Sequence, residues 1–111
     1  MTDCLFCKIA RGEIPAGKVA ESESCIAFRD ISPQAPVHVL VIPRAHYASL
    51  NEVPDGTVLA AMGDLARQVA QSEGLAKGYR CVINTGGDGG QTVGHLHMHV
   101  LGGRRLKWPP G

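Results

Sequence analysis

The sequence predicts an α+β fold in which about five antiparallel strands form one sheet, accompanied by one long and one short helix. Short runs of apolar and β-branched residues recur along the chain, separated by glycine and proline. One segment of about twenty residues instead shows a helical apolar period. The 111 residues, 44% of them hydrophobic, predict a single domain over 1–111 with a packed core.

The first half of the chain predicts one short helix and three strands. Residues 4–11 have apolar residues at helical spacing and stop at a glycine. Strands are expected at 18–21 and 24–29, around a polar turn. The nearly continuous apolar run at 37–42 is typical of a central strand that is covered on both faces.

The second half predicts the long helix and two further strands. A helix over 54–73 has a proline near its start and a glycine just after its end. Its apolar residues recur at helical intervals at Val58, Met62, Leu65 and Val69. Strands are expected at 79–84 and 95–101, with a glycine-rich loop at 85–94 between them. Together the strands predict a meander-like antiparallel sheet.

Charge and hydropathy favour some classes of protein over others. Eleven basic residues against ten acidic ones give a net charge of +1, which argues against nucleic-acid binding through a basic face. No apolar stretch approaches the roughly 18–20 residues needed to span a membrane. The first residues lack the basic and apolar regions of a secretory signal, so we expect a cytoplasmic protein without disulfides.

The four cysteines fall into two groups. Cys25 and Cys81 lie in apolar, strand-like runs and are predicted to be small buried residues. Cys4 and Cys7 are three residues apart, a spacing that lets two thiolates face one ion and form half of a zinc site. A redox pair and two unrelated thiols remain alternatives for this second group.

Three histidines alternate with apolar residues near the C-terminus. Side chains alternate between the two faces of a strand, so His95, His97 and His99 are expected to share one face, about 6.5–7 Å apart. Solvated histidines, a metal site and nucleophilic catalysis are the three interpretations of such a row.

The loop that precedes these histidines favours catalysis at phosphorus. Residues 86–92 contain four glycines, whose backbone N–H groups can converge on an anion. Residues 82–103 carry one formal charge, Asp88, so backbone dipoles and imidazoles would have to bind that anion. A flexible loop is the alternative, but a phosphate loop followed by imidazoles points to transfer at phosphorus.

Residues 95–101 fit completely the pattern His-φ-His-φ-His-φ-φ, with φ apolar, and the chain here resembles the histidine triad (HIT) family. The likeness continues outside this motif. Segments similar to the Hint-like branch of nucleoside phosphoramidases are 30–36, 39–43, 78–80, 89–91 and 101–111. The resemblance therefore extends over essentially the whole chain.

The resemblance implies a HIT-like fold that dimerises, with the two sheets joined and the long helix at the interface. It also implies a hydrolase that cleaves purine nucleoside 5′-phosphoramidates through a covalent nucleotidyl-histidine intermediate. His97 corresponds to the nucleophile, His99 to a ligand of a phosphate oxygen, and His38 to a proton relay beside them. No metal is required for this chemistry.

Further nucleotide contacts follow from the same resemblance. Asp30 would accept hydrogen bonds from the ribose hydroxyls, while Asn84 and Thr92 would contact the phosphate and the departing group. Thr92 stands where many members carry serine. The remaining predicted contacts are the loop residues Gly90 and Gln91 and the apolar clamp around the base, Phe6, Ile9, Ile14 and Ile31.

Several bacterial HIT proteins resemble this chain in having the Cys-x-x-Cys pair, which there binds zinc together with two histidines. The resemblance implies a structural Zn²⁺ held by Cys4, Cys7, His46 and His95. Trp108, near the C-terminus, is expected to dock rather than to remain exposed, close to the active site of the partner subunit.

Three alternative functions remain open at the level of sequence. The same nucleophile serves hydrolysis of dinucleoside polyphosphates and nucleotidyl transfer in other HIT proteins. A nucleotide-binding or scaffold protein with vestigial activity would keep the same loop. A metalloprotein that uses the three histidines themselves as ligands is the third alternative.

Overall fold

The computed structural model describes residues 4–111, and its centre is a five-stranded antiparallel sheet. In chain order the elements are α1 (Leu5–Ala10), β1 (Lys18–Glu21), β2 (Cys25–Arg29), β3 (Val37–Pro43), a 3₁₀ turn (Leu50–Glu52), α2 (Thr57–Ser72), β4 (Tyr79–Val82) and β5 (Met98–Gly102). The predicted α+β class, with one long and one short helix, is confirmed.

The strand order is β1-β2-β3-β5-β4, so the predicted meander holds only for the first three strands. The last strand, β5, lies between β3 and β4, with Val37 opposite Gly102 and Val41 opposite Met98. The chain leaves β3, passes through α2 on one side of the sheet, and enters at the outer edge as β4. β4 therefore forms an edge strand, and β5 fills the position between β4 and β3.

The sheet is covered on both sides, which explains the continuous apolar run of β3. On one side α2 buries Met62, Leu65 and Val69 against the sheet, three of the four residues that its period singled out. On the other side α1 contributes Phe6 and Ile9 to a smaller cluster. Alternate residues of β3 enter the two clusters, because successive side chains of a strand point to opposite faces.

The long helix begins at Thr57, three residues after its predicted start, and ends at Ser72, one residue before its predicted end. Asp55 accepts a hydrogen bond from the Thr57 N–H (2.9 Å), which satisfies one of the first unpaired donors of α2. After Ser72 the chain turns through Gly74 at φ +74°, a left-handed conformation that favours glycine.

The last strand begins three residues later than expected, at Met98 instead of His95. Its pairing with β3 ends at the Val41–Met98 pair. The Leu96 N–H instead donates to the carbonyl of Tyr47 (2.7 Å), so the chain from His95 to His97 has left the ladder of β3. On its other side β5 pairs with β4 from Gly102 to His99.

One expectation about burial was wrong. Cys25 is buried, but Cys81 is exposed because β4 is an edge strand of the sheet. Trp108 is 81% exposed on its own chain, where the Arg80 guanidinium donates to the neighbouring carbonyl of Lys107 (2.8 Å), and its docking on a partner subunit stays a prediction. Among residues 4–111, no helix is both long and apolar enough to cross a membrane.

Candidate active site and metal-binding cluster

The three histidines of the motif lie on the side of the sheet that carries α1. The ring of Phe6 meets the rings of His95 and His97 edge-on, with centroids 5.9 and 5.3 Å away. The rings of His97 and His99 are 5.1 Å apart. The alternation of histidines and apolar residues in the sequence predicted that the three histidines share one side of the sheet. Only His99, however, belongs to β5.

His97 is held by its neighbour's main chain. Its Nδ1 lies 2.7 Å from the carbonyl oxygen of His95, and its side chain is nearly buried. A carbonyl can only accept, so Nδ1 carries the proton and donates it. In the neutral imidazole, Nε2 is then the nitrogen with the free lone pair.

His38 and His99 form a second hydrogen-bonded pair beside His97. The Gln34 N–H donates to Nδ1 of His38 (2.9 Å), so a neutral His38 carries its proton on Nε2. That nitrogen lies 2.8 Å from Nδ1 of His99, which therefore accepts, and the proton of His99 resides on Nε2. The chain of contacts leaves His99 with an N–H to offer to a ligand.

Asp30 is the carboxylate next to this pair. Its Oδ2 lies 3.4 Å from Nε2 of His38, and its Oδ1 accepts a hydrogen bond from the Ser32 N–H (2.7 Å). The side chain of Asp30 is therefore held in place at the edge of the histidine group.

Burial keeps both histidines of the pair neutral. Burial, together with the nearby His97 and His38, lowers the pKa of His99 to about 4. Burial also lowers the pKa of His38, although the carboxylate of Asp30 opposes this effect. At neutral pH the group therefore acts through N–H donors and lone pairs instead of through cations.

The glycine loop has one fixed shape. Gly86 and Gly90 have φ values of +73° and +84°, and a Cβ on Gly89 would come within 2.3 Å of the Thr85 carbonyl oxygen. The side-chain amide of Asn84 donates to the Gly89 carbonyl (2.7 Å). A bulkier residue at Gly89 would therefore have to displace the backbone of the loop.

Gln91 connects this loop to the rest of the site. Its side-chain oxygen accepts from the Gly86 N–H (3.0 Å), and its amide nitrogen donates to the carbonyls of Ala48 (2.7 Å) and Val93 (3.0 Å). The N–H groups of Gly90 and Gln91 also donate within the loop. An anion would therefore depend on the loop's other donors and on the exposed Thr92.

The predicted base clamp is divided between core and surface. Phe6 and Ile9 belong to the buried cluster under α1, and the half-buried Ile14 packs against it. Ile31 is completely exposed next to Asp30. The clamp stays a prediction, and Ile31 is its most accessible member.

A second cluster joins α1, the end of β3 and the first histidine of the motif. Nδ1 of His46 lies 3.2 Å from Nδ1 of His95 and 3.2 Å from Sγ of Cys7. Nδ1 of His95 is 3.4 Å from Sγ of Cys4 and 3.5 Å from Sγ of Cys7. Four potential ligand atoms, two sulfurs and two nitrogens, thus lie within 4.8 Å of one another.

These distances suit a tetrahedral ion. Bonds of about 2.3 Å to sulfur and about 2.0–2.1 Å to nitrogen place neighbouring ligand atoms about 3.3–3.8 Å apart. Nε2 of His95 donates to the Pro43 carbonyl (2.9 Å), which leaves its Nδ1 lone pair facing the cluster. Burial raises the pKa of the Cys7 thiol, and a bound cation would favour its thiolate form. The cluster could therefore hold a metal ion.

Sequence reasoning missed the main-chain groups that fix these side chains. The carbonyls of His95 and Pro43 determine the tautomers of two histidines, and the N–H of Gln34 determines a third. Main-chain groups are present at every residue and carry no compositional signal. The one signal was the pair of prolines around Gln34, which predicts a loop next to β3.

Comparison with known proteins agrees with this geometry. The model of the HIT domain matches residues 11–106. The chain belongs to the HIT family. It is 55% identical to an uncharacterized HIT-like protein of Synechococcus elongatus over 112 residues, 98% of this chain and 97% of that protein.

Two solved HIT structures extend the comparison. A HIT family hydrolase from Legionella pneumophila is 54% identical, with a TM-score of 0.94 over 98% of this chain and 100% of that chain. A histidine triad nucleotide-binding protein from Candida albicans is 33% identical, with a TM-score of 0.84 over 96% of this chain and 83% of that chain. The protein therefore has the fold of a HIT family hydrolase.

The depressed pKa values of His38 and His99 predict a stability that depends on pH. Because both fall below the value of about 6.5 in the unfolded chain, the unfolded state binds more protons as the pH decreases. The free energy of unfolding is therefore expected to fall from pH 7 to pH 5, by at most about 1.4 kcal/mol per pH unit for each histidine. Urea unfolding at fixed protein concentration measures this slope.

The variant His99→Gln tests the assignment. It removes one of the two titrating groups and is expected to flatten the slope, whereas Gln68→Ala on the exposed side of α2 should keep it. Equal slopes for His99→Gln and the wild type would contradict the role given to His99.

Proposed function

We propose that this HIT protein is a nucleoside phosphoramidase, a hydrolase that converts purine nucleoside 5′-phosphoramidates of the AMP type into the nucleoside monophosphate and an amine. The observation that carries the proposal is the hydrogen bond from Nδ1 of His97 to the His95 carbonyl (2.7 Å). It directs the lone pair of a neutral imidazole outward at Nε2, the state in which histidine acts as a nucleophile.

In the first step, Nε2 of His97 forms a bond to phosphorus while the bond from phosphorus to the amine nitrogen breaks. The amine needs one proton to leave. This proton comes from solvent and is passed on by the Thr92 hydroxyl and the paired imidazoles of His38 and His99, which take up one proton as they release another. The N–H of His99 holds a phosphate oxygen, on which negative charge grows. The product of this step is a nucleotidyl-histidine.

In the second step, water attacks phosphorus and the bond to His97 breaks. The water loses one proton through the same imidazole pair to solvent, which balances the proton that solvent gave to the amine. His97 returns to its neutral form, and the nucleoside monophosphate departs. His38 serves this relay because its Nε2–H points to Nδ1 of His99 (2.8 Å).

The nucleotide contacts are assigned to the surroundings of the histidines. Asp30 accepts hydrogen bonds from the ribose hydroxyls, and the exposed Ile31 beside it offers an apolar surface to the purine. The other residues assigned to the base, Phe6, Ile9 and Ile14, lie in the cluster under α1 or against it. The phosphate is assigned to the exposed Thr92 at the end of the glycine loop. Asn84, Gly90 and Gln91, whose N–H groups donate within the protein, hold the loop that presents it. The Candida albicans protein is described as nucleotide-binding, which supports this class of ligand.

A structural Zn²⁺ is part of the proposal. Cys4, Cys7, His46 and His95 supply two sulfurs and two nitrogens, a combination that favours zinc. Four protein ligands complete a tetrahedral shell and leave no position for substrate, so the ion would join α1 to the end of β3 and to His95. The chain's own histidines carry the chemistry.

Metal analysis of the protein purified without chelator is expected to find about one zinc per chain. Cys7→Ser should lower this content strongly, because it removes one of the four ligands, whereas Cys81→Ser should leave it unchanged. The absence of zinc from protein with all four ligands intact would contradict the assignment.

A homodimer is the proposed assembly, joined through β4. This strand has β5 on one side only and exposes Tyr79 and Cys81. An open edge with exposed apolar groups is a natural place for a second strand to pair, related by a two-fold axis. The exposed Trp108 would find its cover on the partner.

Sedimentation equilibrium is expected to give about twice the chain mass of 11.7 kDa. Cys81→Arg places a charge on the exposed edge and should favour the monomer, whereas Glu23→Arg in the turn after β1 should not. A wild type that sediments as a monomer would contradict the assembly.

The activity itself is tested by amine release from adenosine 5′-phosphoramidate. His97→Ala removes the nucleophile, so kcat is expected to fall by about 10³-fold or more, while AMP binding changes little because the loop and His99 remain. Gln68→Ala on the exposed face of α2 serves as the control and should match the wild type.

Other outcomes identify the alternatives. Faster hydrolysis of a dinucleoside tetraphosphate would favour a polyphosphate hydrolase, and nucleotide exchange between phosphate acceptors would favour a transferase. Binding of AMP by a wild type without turnover would favour a nucleotide-binding or scaffold protein. Full activity of His97→Ala would contradict the assignment of the nucleophile.

A further inference from the structure

The nucleophile-bearing segment from His95 to His97 lacks the usual support of a sheet. The ladder between β3 and β5 ends at the Val41–Met98 pair, one residue after His97. Catalytic side chains need a supporting framework, since a displacement of about 1 Å can cost about 10²-fold in rate. Contacts outside the ladder must therefore hold this segment.

His95 provides most of these contacts. Its Nδ1 faces Cys4, Cys7 and His46 at 3.2–3.5 Å, and its Nε2 donates to the Pro43 carbonyl (2.9 Å). The carbonyl oxygen of His95 accepts a hydrogen bond from the Nδ1–H of His97 (2.7 Å). The side chain of His95 has no exposed surface. His95 thus belongs to the Cys/His cluster and also accepts the one ring hydrogen bond that His97 makes within residues 4–111.

Two further links run from the cluster to the catalytic group. Phe6 lies between Cys4 and Cys7 in sequence, and its ring meets His97 edge-on (5.3 Å). Tyr47, next to His46, accepts a hydrogen bond from the Leu96 N–H (2.7 Å), between His95 and His97. Both sides of the cluster are therefore tied to the segment that carries the nucleophile.

We infer that the Cys4–Cys7–His46–His95 cluster positions the nucleophile. The presence or absence of an ion in the cluster then affects His97 through His95. With an ion in the cluster, the His95 carbonyl is fixed and His97 keeps a single tautomer. Without it, the four side chains keep only their mutual contacts of 3.2–3.5 Å and the hydrogen bond from His95 to the Pro43 carbonyl, and His46 is exposed to water. His97 then exchanges between tautomers and orientations.

The expected effect on kcat rests on the proposed function, but the orientation and tautomer of His97 can be measured without turnover. Metal-free protein should have a kcat about 10–100-fold lower, the range found when groups that orient a functional residue are lost. KM should change much less, because the glycine loop and the His38–His99 pair lie outside the cluster. The ¹⁵N resonances of the His97 ring should change from one tautomer to an average of two.

Three proteins test the inference side by side: Cys4→Ser/Cys7→Ser, His46→Ala, and Cys81→Ser as the control with an exposed thiol outside the cluster. Zinc content, circular dichroism, kcat, KM and the ¹⁵N spectrum of His97 are measured for each. The first two are expected to lose zinc, kcat and the single tautomer together, and the control to keep all three. Chelation of the wild type should reproduce the loss, and added Zn²⁺ should reverse it.

The outcomes separate the inference from the proposed function. Folded, zinc-free protein with wild-type kcat and a single His97 tautomer would overturn the inference. If the double variant does not fold, His46→Ala and the chelated wild type decide by the same criteria. An inactive wild type would overturn the proposed function, and the ¹⁵N spectra with and without zinc would still decide the inference.

Discussion

The candidate site depends on one hydrogen bond, from Nδ1 of His97 to the carbonyl oxygen of His95 (2.7 Å). A free imidazole in water can carry its proton on either nitrogen, so a nucleophile requires a partner that selects one of them. A carbonyl makes this selection because it accepts and never donates. The nitrogen left free is then Nε2, and its direction follows from where the main chain of His95 lies.

The surroundings of His97 suit the proposed anionic substrate without the help of cationic side chains. None of the proposed site residues is a lysine or an arginine. Burial lowers the pKa of His38 and His99, so both are neutral donors and acceptors at pH 7. Backbone and imidazole dipoles can stabilise growing charge on phosphate oxygens, and neutral imidazoles can pass a proton in both directions. These properties suit a reaction that gives a proton to an amine and later takes one from water.

Sequence periodicity was sufficient for the elements with regular burial. The period of Met62, Leu65 and Val69 predicted the buried face of α2, and the apolar run of β3 predicted a central strand. Residue-type patterns fail where pairing is non-local. The insertion of β5 between β3 and β4 decides that Cys81 is exposed, and no local pattern carries that information.

The candidate site was predicted in part, for a related reason. Alternation placed the three histidines on one side, but the late start of β5 at Met98 depends on contacts with distant residues. His46 is 39 residues from Cys7, so spacing alone could not join them, and only the family resemblance did. The main-chain acceptors that set the tautomers are invisible to any argument from residue types.

The central claim, that Nε2 of His97 attacks phosphorus, is tested most directly by trapping the intermediate. Wild-type protein mixed with adenosine 5′-phosphoramidate and denatured within the first turnover is digested, and its peptides are weighed by mass spectrometry. We expect one adenosine monophosphate group, attached to His97 of the peptide that contains residues 95–101. Attachment of the group to another residue during turnover would contradict this assignment. So would turnover with no labelled peptide and with inversion of configuration at phosphorus in a single step.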